Sequence, residues 1–76
     1  MNRTVNTKLI EAWIIENGPM GLEKLAVRSQ VSSTTIIKAK SGRVPKELTM
    51  ELLARALCVT KETLFPLLTE NGERAS

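Results

Sequence analysis

Histidine and tyrosine are absent from this chain, cysteine occurs once, at Cys58, and Trp13 and Phe65 are its only aromatic residues. A lone thiol cannot close a disulfide within the chain, and without histidine there is no zinc site of the usual Cys and His kinds. No imidazole can serve as a general base, no nucleophile has a titratable partner near it in sequence, and no glycine-rich phosphate loop occurs. Catalysis, a metal and a cofactor are therefore not expected. Long apolar runs are missing as well, and residues 1–7 are polar, so neither a spanning helix nor a secretion signal is read. The expected location is the cytoplasm.

Acidic residues are missing from one long stretch. Positions 24–46 hold Lys24, Arg28, Lys38, Lys40, Arg43 and Lys46 and no Asp or Glu, although the chain has eight acids against eleven basic residues. The formal charge of +3 is thus a window of +6 beside a remainder of −3. With 76 residues the chain is one domain at most, and a domain of that size buries only about 60% of its unfolded surface. We read a single folded unit over residues 1–68 and a polar tail over residues 69–76.

What remains is a helical pattern. A first amphipathic helix spans residues 8–17, with Thr7 as N-cap, Leu9, Ile10, Trp13 and Ile14 on its apolar face, and Gly18 and Pro19 as its stop. Trp13 belongs in the core by its place in that stripe. A second helix over residues 22–29 turns Leu22, Leu25 and Ala26 inward and Glu23, Lys24 and Arg28 outward. It is barely two turns long and needs its neighbours to hold it. Val31 fills the gap before a third helix that is capped by Ser32, runs to about Lys40 and ends near Gly42. Ile36 and Ala39 face inward, leaving Ser33, Thr34, Ile37, Lys38 and Ser41 outside, a low-profile face that suits either solvent or a groove of limited width.

A fourth helix spans residues 46–57 after Pro45, with Lys46 or Thr49 at its start and Leu53, Ala56 and Leu57 inward. Cys58 stands where a helix stop would carry Gly and, with no partner thiol or imidazole, reads as a small buried apolar residue. A short fifth helix begins near Thr60, carries Leu64 and Phe65, and is turned at Pro66. The fold class is all-α, a bundle of about five short helices. No internal repeat, low-complexity segment or convincing strand alternation is found.

Leu25, Ala26, Val31, Ser32, Ile36, Gly42 and Pro45, followed at the right spacing by Leu53, Ala54, Arg55, Ala56, Leu57, Val59, Leu64 and Phe65, carry a resemblance. Over residues 22–66 the chain resembles the phage repressor and Cro-like, or XRE-type, helix-turn-helix domains of the lambda-repressor-like fold. It departs from that pattern at three places. Gln30 holds the turn position usually given to Gly, so it must adopt a left-handed backbone or shift the turn. Leu22 stands where the family often has a phosphate-reaching Gln, and that contact is not carried over. Cys58 replaces the usual Gly after the fourth helix.

The resemblance implies that residues 32–40 form the recognition helix, lying in the major groove of double-stranded DNA. The base-reading positions then fall on Ser33, Thr34, Ile37 and Lys38, which can offer hydroxyls, methyl groups and an ammonium to base edges. The phosphate-contacting region falls on Lys40, Ser41, Arg43 and Lys46, with Lys24 and Arg28 as flanking contacts. The implied function is transcription regulation by a phage or prophage-type repressor that occupies an operator in a bacterial or phage-infected cell. It would act as a homodimer on a two-fold site with half-sites about 34 Å apart. Leu64, Phe65, Leu67 and Leu68 offer a dimer surface, or else pack on Leu9 and Trp13 within one copy. No second domain for sensing a small molecule is read. The alternative from another class is a helical protein-interaction module, adaptor or antitoxin-like, on the same scaffold.

Overall fold

Five helices, α1 (Thr7–Glu16), α2 (Gly21–Ser29), α3 (Ser33–Lys40), α4 (Glu47–Ala56) and α5 (Lys61–Leu64), follow one another in a computed structural model that describes residues 3–68. The all-α bundle expected from the pattern is the architecture observed. The polar tail over residues 69–76 lies outside the described residues.

Each helix gives the centre one fully buried large side chain: Ile10, Leu25, Ile36, Leu53 and Leu64, joined by Phe65 just after α5. Burying such a side chain is worth about 1.5–3 kcal/mol, which is what holds helices too short to persist alone. Leu9, Trp13, Ile14, Leu22, Ala26, Leu52, Leu57 and Val59 close the rim of this core. Trp13 is therefore a half-buried edge residue and not a central one, because Ile10 and Phe65 already occupy the middle. Among the elements, α2 packs on α1, α3 and α4, while α5 rests on α4.

The seat of α2 on α1 depends on a missing side chain. A Cβ on Gly21 would lie 2.1 Å from the carbonyl oxygen of Ile14, closer than any real contact. Gly18, at φ +85°, reverses the chain between the two helices, and its carbonyl accepts the N–H of Gly21 at 2.9 Å. The sequence pattern opened α2 at Leu22; the helix begins one residue earlier, at Gly21.

The polar N-terminal segment is tied across the fold. Thr4 N–H donates to the Pro66 carbonyl at 3.0 Å, Asn6 N–H to the Leu64 carbonyl at 2.8 Å, and the Arg3 guanidinium to the Phe65 carbonyl at 2.7 Å. Val5 is buried between these bonds. An isolated antiparallel bridge between Arg3 and Leu67 completes the closure. Because Leu64 and Phe65 are consumed inside one copy, they are not a dimer surface; only Leu67 and Leu68, 37% and 36% exposed, remain outside.

Helix ends explain the other differences from the pattern. Asn6, not Thr7, is the N-cap of α1, and its side chain makes no capping bond. Lys46, not Thr49, precedes α4, again without a side-chain cap. Ser32 and Thr60 do cap, accepting the N–H groups of Thr35 at 3.3 Å and Thr63 at 3.1 Å. Cys58 is exposed, with φ +62°, which corrects the expectation of a buried thiol. Here the left-handed reversal past the end of α4 leaves the Cys58 side chain outside the core, so its small apolar surface gains no burial.

The ion pairs among the described residues both use Lys61, which meets Glu47 and, at 3.9 Å, Glu51. They fasten α5 to α4. The hydrogen bond from Lys61 holds the Glu47 carboxyl below its ordinary range.

Candidate nucleic-acid interface

Between α2 and α3 the chain turns through Gln30, Val31 and Ser32. Gln30 takes the left-handed conformation at φ 61°, so of the two ways open to it the turn keeps its place and the residue bears the cost. Two neighbours stabilise that conformation. Val31 is buried beneath the turn, and the Ser29 hydroxyl bridges it, donating to the Leu25 carbonyl at 2.7 Å and accepting the Val31 N–H at 3.2 Å. Ser29 was not singled out in the sequence, where a serine in a short polar helix end carries no mark.

Ser32 then starts α3 and fixes which way it faces. Its hydroxyl also meets that of Thr35 at 2.9 Å, which occupies Thr35 locally. Ile36 and Ala39 are buried as the spacing required. Thr34, Ile37 and Lys38 are exposed and Ser33 is half-buried, so the four expected base-reading residues share the outer side of one helix. Ile37, at 49% exposure, is a branched aliphatic side chain presented to solvent beside an ammonium.

The expected phosphate-contacting residues divide into two groups. Lys40, Arg43 and Lys46 are exposed, and neither they nor Lys38 joins an ion pair among the described residues. Ser41 is exposed too, but its hydroxyl donates to the Lys38 carbonyl at 2.8 Å and helps to close α3. Beyond it, Gly42 at φ +108° reverses the chain, with Gly42 N–H on the Ala39 carbonyl and Arg43 N–H on the Lys38 carbonyl, each at 3.0 Å. This closure places Arg43 immediately after the helix and keeps the basic loop next to it.

Lys24 and Arg28 are different. The Lys24 ammonium reaches the Asn17 carbonyl at 3.3 Å, and the Arg28 guanidinium donates through Nε to the Ala56 carbonyl at 2.7 Å. Arg28 thus ties α2 to the end of α4, while Lys24 makes a longer, exposed contact with the end of α1. Residue spacing gave no sign of this, since the partner of Arg28 lies 28 residues away.

Leu22, where the resembled family often has Gln, packs against the core. The chemistry on offer around α3 is hydroxyl donors and acceptors, one apolar contact and uncommitted cations, with the positive end of the helix dipole at Ser33. Comparison with protein-family models, with curated proteins and with solved structures finds no match to this chain.

Proposed function

We propose that this protein binds double-stranded DNA sequence-specifically through a helix-turn-helix made of α2 and α3, and represses transcription by occupying an operator, as its resemblance to XRE-type phage repressor domains implies. The observation that carries the reading is the outer face of α3: Ser33, Thr34, Ile37 and Lys38 stand together there, bordered by the uncommitted Lys40, Arg43 and Lys46. Lys38 can donate to guanine O6 and N7, the hydroxyls can take either role, and Ile37 can pack on a thymine methyl. The flanking cations would fix register through phosphates without reading sequence. A homodimer on a two-fold site would double those contacts.

Titration with mixed-sequence duplex at several salt concentrations tests the reading. Each phosphate neutralised contributes about −0.9 to the slope of log K against log salt, so a steep negative slope is expected. Selection from a random duplex pool should then return a palindromic consensus. A second reading, a protein-interaction module, draws on the exposed apolar side chains of Val27 on α2 and Met20 just before it, 79% and 55% exposed. Absent or salt-insensitive DNA binding would favour it.

A further inference from the structure

We propose that Arg28 is a positioning residue for DNA binding, clamping α2 to the C-terminus of α4 and so setting how α3 is presented, and that it does not contact phosphate. This rests on the DNA-binding reading above.

The end of α4 shows why a cation is wanted there. Val59 N–H takes the Ala54 carbonyl at 2.9 Å and Cys58 N–H takes the Arg55 carbonyl at 3.1 Å, the paired bonds of a left-handed helix closure. The carbonyl of Ala56, the last residue of the helix, is the one Arg28 Nε meets at 2.7 Å. A second guanidinium nitrogen lies 3.7 Å from Cys58 Sγ, a weak, exposed contact at the same helix end. The C-terminus of a helix carries partial negative charge, which favours a guanidinium and disfavours an approaching phosphate. Beside it, Arg28, Ser29, Gln30, Leu52, Arg55 and Ala56 line a recess of about 340 Å³ with no carboxylate. Arg28, though exposed, thus spends its Nε donor on a carbonyl dipole and not on an anion.

Position along the chain gives this bond its effect. Arg28 sits in the last turn of α2, and only Ser29, Gln30, Val31 and Ser32 separate it from α3. The Gln30 turn is held from below by the buried Val31 and Ser29, so the angle fixed by Arg28 at the end of α2 is passed to α3 through a short link anchored at those two residues. A planar guanidinium with several fixed donors is suited to holding an angle in a way that a flexible ammonium is not.

The experiment uses the full chain, well below its melting temperature, with a duplex selected from a random pool and with mixed-sequence duplex, over a salt series. Arg28→Met is expected to retain the wild-type salt slope while losing about tenfold in affinity for the selected duplex and less for the mixed one, a loss of the order of one charged hydrogen bond. Arg28→Lys, whose ammonium can reach the same carbonyl, should recover part of the loss, and Arg28→Gln, neutral as well, serves in place of Arg28→Met if that variant does not fold. A slope flatter by about 0.9 would make Arg28 a phosphate contact and overturn the proposal. Unchanged affinity in the folded Arg28→Met protein would reduce the residue to a purely structural role, which also overturns it. Failure of the wild-type chain to bind DNA would remove the underlying reading first, and is told apart because no variant is needed to see it.

Discussion

The C-termini of α3 and α4 close with the same pair of backbone bonds, yet they are finished differently. After α3 the left-handed position is Gly42, at φ +108°, and the following Arg43 is exposed with no ion pair among the described residues. After α4 it is Cys58, at φ +62°, and the helix end is covered by the Arg28 guanidinium from α2. Both regions draw on the same acid-free window for their cations. The difference teaches that positive charge close in sequence can be divided by the fold into charge that holds the molecule together and charge left facing outward.

The comparison is broken most severely at the seat that α2 needs before Arg28 can reach α4. Gly21→Ala would force a methyl against the Ile14 carbonyl, and since neither helix backbone can give way cheaply, a loss of about 3 kcal/mol is expected. Calorimetry should show the melting temperature of that variant lowered by more than about 10 °C. An unchanged melting temperature would mean that the two helices are not packed this closely.

Next in size are the outward charges. On the proposed DNA-binding reading, Lys38→Ala is expected to lose about 1–3 kcal/mol on the best DNA site only, relaxing preference at one base pair. Arg43→Ala should weaken binding to all sequences alike and reduce the salt slope by about one, with thermal stability unchanged within about 0.5 kcal/mol. Identical behaviour of the two variants, read from salt-dependent titrations, would contradict the division between reading and positioning on α3.

The two closures themselves give a smaller and opposite pair. Gly42→Ala should lower stability by about 1 kcal/mol, because a φ beyond the left-handed minimum is open to glycine and costly to other residues. Cys58→Gly should raise stability by about 0.5 kcal/mol, the relief of positive φ being partly offset by the greater freedom of glycine in the unfolded chain. Denaturant midpoints at constant slope measure both. Changes of the same sign would show that the two closures are not equivalent.

The smallest effect concerns the exposed Glu47. Its carboxyl is held below the ordinary value in the folded chain by the hydrogen bond from Lys61, so its contribution is fully present above that ordinary value and is lost as pH falls through the lowered one. Glu47→Gln should flatten the acid limb of the stability curve slightly. In high salt near neutral pH the substitution is expected to leave stability unchanged, since a surface pair is readily screened.

Much of the bundle was legible because short helices announce themselves by side-chain spacing. Ile10, Leu25, Ile36 and Leu53 all fell inward as their periodicity demanded, and Ser32 capped α3 as its hydroxyl and position suggested. The outward placement of Thr34, Ile37 and Lys38 followed from the same spacing. Other features left no local trace. A polar Arg3-Thr4 pair gives no hint that its backbone and guanidinium will bond to residues 65 and 66, and a Gly at the start of α2 does not declare whether it serves a turn or a close approach.

The sequence by itself determined the number and order of the helices and the sides they bury, because helical periodicity and capping are properties of residues a few positions apart. Only the tertiary structure decided that Lys24 and Arg28 each meet a backbone carbonyl, that Cys58 faces solvent in a left-handed turn, and that the two ends of residues 3–68 are joined. Those outcomes depend on where an unpaired carbonyl or a free donor comes to lie in space, which residue types and their spacing along the chain do not specify.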